Sequence, residues 1–154
     1  IPTLELEDGR ALTESRAICT YIEALRPEPN LMGRDAFERA FIEMWDRRME
    51  LLFSMPLMMW VRHGNPVLAA VERNQNAEVA SYNQGQAMRM AKWLDGELAN
   101  RAWIAGDRFT IADITACCGV DFAKMNRWRP GDDLPNLKRW RAAFGARAAG
   151  QVAA

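Results

Sequence analysis

The chain has 154 residues, 49% of them hydrophobic, and its 20 basic and 20 acidic side chains give a formal net charge of zero. This balance excludes the basic field that draws proteins to nucleic acids or anionic membranes, so neither is expected as a partner. No apolar run approaches the ~20 residues of a membrane span. The 3 cysteines do not suggest a disulfide framework, and the expected compartment is the cytoplasm.

Residues 1–13 predict a β-hairpin. The segment from Ile1 to Leu6 alternates apolar and polar side chains, as a half-buried strand does. Asp8-Gly9 is a two-residue hairpin signal, and Ala11-Leu12 would begin the returning strand.

A helix is predicted directly after the hairpin, opened by Thr13-Glu14-Ser15. Its apolar side chains recur at helical spacing: Ala17, Ile18, Tyr21, Ile22 and Leu25. The free N–H groups and the positive dipole end of such a helix start attract an anion. From the pattern alone, however, simple capping of the helix by acidic and hydroxyl side chains is the preferred interpretation.

Beyond this helix the sequence predicts helices almost throughout. Pro27 and Pro29 break the first helix and mark a linker at residues 27–34. Asp35 can cap the next helix, and Pro56 lies within its pattern, so a kink or break is expected there.

Three more helices are predicted after the Gly64-Asn65-Pro66 stop: one finishing near Asn100, one from Ile111 to about Met125, and a last one from Asn136 to Ala148. The residues at helical spacing in the two long central helices are Phe37, Phe41, Trp45, Arg48, Leu52 and Met55, and then Val79, Tyr82, Met90, Trp93, Leu94 and Leu98.

Thr110 and Asp113 have the spacing of a capping box, in which the Thr hydroxyl accepts from the N–H three residues on and the Asp carboxylate accepts from the N–H of Thr110. Phe109 and Ile114 flank that box at the spacing of a hydrophobic staple. These roles are structural, so they indicate a family and not a chemical step.

Together these features resemble the cytosolic glutathione transferases. The box, the Gly106-Asp107-Arg108 turn before it and the Pro135-Asn136-Leu137-x-x-Trp140 segment after it are similar to that family's helical C-terminal domain. The initial string Pro-x-Leu…Asp-Gly…Leu-x-Glu-Ser-x-Ala-Ile is similar to the last hairpin and helix of its thioredoxin-like domain. The resemblance implies a mainly α fold: a thioredoxin-like remnant at residues 1–26, the linker, and a helical bundle at residues 35–154.

The resemblance also implies a glutathione site at the start of the first helix, which reverses the preference for capping. Ser15 and the helix tip would hold the γ-glutamyl carboxylate, and Glu14 would hold the neighbouring ammonium. Pro2 matches the family's cis-proline, which turns the backbone of Ile1 toward the cysteinyl group of glutathione.

The family's second-substrate site borders the helix that carries Ser54, Met55 and Met58, which are therefore candidates for an electrophile pocket. Methionine is flexible and polarisable, which suits varied apolar electrophiles. Methionine at helical spacing is nevertheless more often ordinary core, and core is the preferred interpretation here.

The implied activity is conjugation of the glutathione thiolate to hydrophobic electrophiles, a detoxification reaction, in a homodimer with glutathione as substrate. No metal is expected, because one histidine and scattered cysteines cannot build a metal cluster. The family's thiol-activating residue lies upstream of the matching segment, so no catalytic residue is assigned and the 154 residues alone are expected to be inactive. Non-catalytic interaction modules with the same fold are the alternative.

The remaining reactive side chains have structural interpretations. His63 is expected to meet the last carbonyls of its helix. Cys19, Cys117 and Cys118 fall within helical patterns and are expected to be small buried hydrophobes.

Overall fold

The computed structural model describes residues 2–147, so the predictions that rest on Ile1 and Ala148 lie outside the described residues. The elements are two strands, β1 (Thr3–Glu5) and β2 (Ala11–Thr13), and six α-helices: α1 (Ser15–Leu25), α2 (Ala36–Arg48), α3 (Met55–Gly64), α4 (Ala77–Glu97), α5 (Ile111–Ala123) and α6 (Pro135–Gly145). The predicted fold class, a helical bundle preceded by a hairpin and a helix, is confirmed. Within residues 2–147, no helix has the length and apolar character that crossing a membrane would need.

The hairpin pairs β1 and β2 antiparallel, with Leu4 opposite Leu12. Its loop has three residues, not the two that Asp8-Gly9 predicts, because the N–H of Leu6 donates to the carbonyl of Arg10 at 2.8 Å. Gly9 has a φ of 83°, the left-handed conformation that closes a three-residue loop of this kind.

The path from α2 to α3 is continuous through a π-helical segment, Met49–Ser54. Asp35 caps α2 as predicted, accepting from the N–H of Glu38 at 2.8 Å. The expected break at Pro56 is replaced by this wider turn, in which the N–H of Met55 bonds to the carbonyl of Glu50. A proline lacks the N–H and crowds the carbonyl four residues back, and a π-turn absorbs both effects.

The core lies between the α2–α3 path, α4, α5 and α6, and its largest fully buried side chains include Phe53, Met49, Leu57, Leu94, Leu137 and Trp140. Part of the predicted periodic pattern faces outward instead: Phe37 is 78% exposed, Leu52 54% and Tyr82 65%. The buried stripe of α4 contains small residues that allow close helix packing, namely Ala80, Ala87 and Ala91.

The capping box at the start of α5 is formed between Thr110 and Asp113. The fully buried Asp113 carboxylate accepts from the N–H of Thr110 at 2.9 Å, the N–H of Ile104 at 2.9 Å and the indole of Trp140 at 2.8 Å. The box therefore ties the start of α5 to α6 as well as to its own helix. Phe109 packs edge-on against Trp103, with ring centroids 5.2 Å apart, whereas Ile114 lines the cleft described below.

Candidate functional site

A cleft of about 470 Å³ lies between the N-terminal end of α1, the α2–α3 path and α5. Its lining joins residues that are far apart in sequence: Ser15, Arg16 and Cys19 from α1; Asp46, Ser54 and Met58 from the α2–α3 path; and Ile114, Thr115, Cys118, Gly119 and Phe122 from α5. Two groups of predicted site residues, Ser15 on one side and Ser54 with Met58 on the other, therefore face one space.

The tip of α1 is open. The Glu14 backbone has a φ of 64° and a ψ of 115°, a strained conformation for a residue with a side chain. No side-chain hydrogen bond caps this helix, so the capping role considered for its first residues is absent from the structure. Among the described residues, none accepts from the N–H groups of Ser15, Arg16 or Ala17. The tip thus offers free donors at the positive end of a helix dipole, which suits an anionic group.

A buried polar network fixes this tip against the helical bundle. Arg16 Nε donates to the carboxylate of Asp46 at 2.6 Å, and the hydroxyl of Thr115 donates to the same carboxylate at 2.6 Å. Asp46 is fully buried, and Arg16 also pairs with Glu43 at the surface. Three helices, α1, α2 and α5, are therefore joined through one carboxylate.

Asp46 is not among the residues predicted for the site, although the sequence carries a signal for it. Asp46 falls on the helix face that also carries Ile42, Trp45, Met49 and Phe53, all of them buried. An acidic residue inside such an apolar stripe requires a partner, because a buried charge without one is costly.

The other end of α1 is held by the linker. The carboxylate of Glu23 accepts from the backbone N–H of Leu31 at 2.9 Å and from that of Met32 at 2.7 Å. With Arg16 fixed near the tip and Glu23 fixed further along, α1 has a defined orientation relative to the cleft.

The opposite wall is formed where the π-helical segment meets α5. Ser54 is 6% exposed, and its hydroxyl donates to the carbonyl of Thr115 at 2.8 Å. A Cβ on Gly119 would lie 2.5 Å from Ser54 Oγ and 2.8 Å from Ser54 Cα, so only glycine permits this approach. The contact brings α5 and the α2–α3 path together at the floor of the cleft.

The three candidates for the electrophile pocket do not all meet. Met58 is 38% exposed and lines the cleft with Ser54. Met55 is 44% exposed and lines a different depression on the outer face of the bundle. Around the helix its side chain is displaced by about 60° from that of Met58. The preferred interpretation of these methionines as core is wrong for both Met55 and Met58.

The cysteines and the histidine depart in part from expectation. Cys117 is buried, and burial raises the pKa of its thiol to about 12. Cys19 is half-buried and Cys118 is exposed, and both line the cleft. His63 accepts through Nδ1 from the N–H of Asn76 at 3.3 Å instead of meeting the carbonyls of its own helix.

Within residues 2–147 no group of three or more histidine, cysteine or acidic side chains is arranged to hold a metal ion. Pro2 is exposed, and its bond to Ile1 lies outside the described residues, so the cis conformation stays a prediction.

Comparison with known proteins covers both parts of the chain. Residues 1–30 match the family model described as glutathione S-transferase, N-terminal domain, and residues 58–148 match the model described as glutathione S-transferase, C-terminal domain. Glutathione S-transferase 2 of Saccharomyces cerevisiae is 34% identical over 141 residues, which are 91% of this chain and 60% of the relative. FtsZ-localized protein A of Caulobacter vibrioides is 29% identical over 140 residues, 84% of this chain and 57% of the relative.

The fold agrees with the sequence comparison. The crystal structure of Gtt2 from Saccharomyces cerevisiae superposes with a TM-score of 0.92 at 32% identity, covering 100% of this chain and 74% of that one. The chain spans about 60% of the length of the yeast relative.

Proposed function

Because this chain belongs to the glutathione S-transferase family, we propose that it serves the conjugation of glutathione to electrophilic small molecules. In this proposal α1 binds the γ-glutamyl end of glutathione and the helical bundle forms the wall for the electrophile. The thiolate of glutathione attacks an electrophilic carbon and a carbon–sulfur bond forms. In a displacement the leaving group departs with its bonding electron pair; in an addition the π electrons move to the neighbouring atom, which takes a proton from water. We assign no thiol-activating residue within the chain.

The observation that carries the proposal is the open tip of α1 on the same cleft as Ser54 and Met58. The γ-glutamyl end presents a carboxylate and an ammonium on one carbon. Free N–H donors and the Ser15 hydroxyl suit the carboxylate, and the exposed Glu14 carboxylate suits the ammonium. The backbone of Ile1, with Pro2, would then align the cysteinyl group.

The apolar part of the cleft supports an electrophile site. Met58, Ile114 and Phe122 line it, and most of the surface that the cleft exposes is apolar. A methionine adapts to ligands of different shape. Ser54 adds one buried hydroxyl, which is already bonded to Thr115 and therefore has a fixed position.

The test is binding to immobilised glutathione. We expect Ser15→Ala to weaken glutathione binding about tenfold, the loss of one hydrogen bond to a charged group. Ser81→Ala is the matched control, because Ser81 is an exposed serine on α4, away from the cleft. Equal retention of the Ser15 variant and the control would remove Ser15 from the site.

We also propose a homodimer that uses the outer face of the bundle. A depression of about 500 Å³ on this face is lined by large exposed side chains, among them Leu51 (55%), Leu52 (54%), Tyr82 (65%) and Trp93 (41%). Apolar surface of this extent favours a partner, and two-fold pairing with a second copy covers the same face on both.

Free thiols at Cys19, Cys117 and Cys118 are compatible with the cytoplasm as compartment.

An interaction module remains the second candidate, favoured by the match to FtsZ-localized protein A. The two proposals differ in what occupies the cleft. A wild-type protein that folds normally but is not retained by immobilised glutathione would favour the module.

A further inference from the structure

A separate cavity, of about 310 Å³, lies on the other side of α5 from the cleft, between the end of α5, the loop after it and α6. Its floor includes Val120 and Ala142, and its walls carry four cationic side chains: Lys124, Arg129, Lys138 and Arg141. No acidic side chain of the described residues lines it. A concentration of four cations is notable in a chain whose formal net charge is zero.

The carboxylates near this cavity neutralise only part of its charge. Asp121 Oδ1 accepts from both Lys124 Nζ at 2.9 Å and Arg141 Nη2 at 2.7 Å, so one carboxylate serves two cations. Asp132 pairs with Lys138 at 2.6 Å but is 94% exposed, where water and salt screen the pair.

Arg129 has no acidic partner within residues 2–147, and the carboxylate of Asp133 lies against Gly131 and does not line the cavity. The four cations therefore have two carboxylates as ion-pair partners, Asp121 and Asp132. The difference leaves a surplus of about two positive charges at the cavity.

Arg141 is held in place with one edge free. Its Nε and Nη2 both donate to Asp121 Oδ1, at 3.1 and 2.7 Å, and no described residue accepts from its Nη1. A Cβ on Gly145 would lie 3.2 Å from Nη1, so the glycine leaves room for the guanidinium. Burial acts to raise the pKa of Asp121, but hydrogen bonds from Lys124 and Arg141 outweigh it and lower that pKa, so Asp121 stays ionised and keeps its hold on Arg141.

We propose that this cavity binds the phosphate group of a small molecule. A surplus of two positive charges matches a dianion, and a fixed guanidinium edge with further cations around it is the arrangement that binds phosphate oxygens. The volume is at the lower end of small-molecule sites and suits a phosphate with a small substituent on the apolar floor. Val120 of α5 and Lys124, just past its end, lie on the side opposite Thr115 and Cys118, so this site is separate from the cleft and does not depend on glutathione binding.

The experiment is a titration of the protein with inorganic phosphate at constant ionic strength, with chloride as the reference anion, followed by NMR of the arginine side-chain N–H groups. We expect saturable binding that Arg129→Asn weakens about tenfold, the loss of one charge-assisted hydrogen bond. Arg127→Asn is the matched control: Arg127 is exposed two residues away, does not line the cavity, and has a φ of 59° that asparagine tolerates. We expect it to leave phosphate binding unchanged.

A variant with the opposite sign completes the test. Asp132→Asn removes one negative charge and leaves Lys138 without its carboxylate partner, so it should tighten phosphate binding. Absence of saturable binding would overturn the proposal. Equal weakening by Arg127→Asn and Arg129→Asn would also overturn it, because that result indicates diffuse surface charge instead of a site.

Discussion

Arg16 Nε lies 2.6 Å from Asp46 Oδ2, and this ion pair joins the first turn of α1 to the buried face of α2. Asp46 is fully buried, whereas Arg16 keeps 25% of its side-chain surface exposed. The proposed anion-binding tip of α1 therefore owes its position to a carboxylate in another helix.

We predict that Asp46→Asn lowers the free energy of unfolding by about 3 kcal/mol, because it removes the buried charge of the pair and leaves Arg16 with only its surface partner, Glu43. It should also weaken glutathione binding through displacement of the tip, which makes Asp46 a positioning residue. Glu43→Gln is the control: Glu43 pairs with the same arginine at the surface, where the expected cost is within about 1 kcal/mol. Urea denaturation measures the free energy of unfolding of the two variants, and equal losses would contradict the role given to Asp46.

Asp113 should be more important for stability than a helix cap alone. Loss of a cap costs about 0.5–2 kcal/mol, but Asp113→Ala also strands the buried N–H groups of Ile104 and Trp140. We therefore expect a loss of about 3 kcal/mol or more. Thr110→Ala, which removes only a hydroxyl of the same box, should cost about 1 kcal/mol. If thermal or urea unfolding shows the two variants to be alike, the bonds to Ile104 and Trp140 contribute nothing.

Two glycine-to-alanine changes in helices should have opposite signs. Gly119→Ala places a methyl group 2.5 Å from Ser54 Oγ and 2.8 Å from its Cα, and we expect a loss of about 1–3 kcal/mol from overpacking. Gly96 lies in α4 with nothing within 4 Å of an added Cβ, so Gly96→Ala should stabilise the protein by about 0.5–1 kcal/mol through helix propensity. A Gly119→Ala variant whose denaturation midpoint equals or exceeds that of the wild type would contradict the close approach of α5 to Ser54.

The proposed homodimer predicts a change of mass on substitution of its outer face. Leu52→Glu places a charge on the exposed depression beside α4 and should convert dimer to monomer in sedimentation equilibrium. Val71→Glu is the control, because Val71 is 73% exposed but lies outside that face. A wild-type protein that is already monomeric, or a dimer that survives Leu52→Glu, would argue against this interface.

Much of the fold could be predicted from the sequence because its signals act over a few residues. The hairpin follows from alternation and from a turn at Asp8-Gly9, although its loop has three residues and not the predicted two. Asp35 caps α2 through a hydrogen bond to the N–H of Glu38, only three residues on. The wider turn at Met49–Ser54 could not be predicted, because Pro56 requires only that the regular bonding change and does not say how. The division at residues 27–34 stays a prediction.

The candidate site was predictable only in part. The Glu14-Ser15 motif was identified by resemblance, but the open state of the helix tip depends on the Glu14 backbone, whose φ of 64° no local rule requires. Asp46 was missed because its role depends on Arg16 and Thr115, which are distant in sequence.

The sequence by itself determined the order of the helices, the box that starts α5 and the family, since caps, turns and periodicity are local interactions encoded by neighbouring residues. Only the tertiary structure decided which helix faces are covered. It left Leu52 and Tyr82 outside and turned Met58 toward the cleft and Met55 away from it. It also brought Lys124, just past the end of α5, and Arg141 of α6 to one cavity. The physical reason is that burial and electrostatic surroundings depend on what packs against a helix, and those partners come from other parts of the chain.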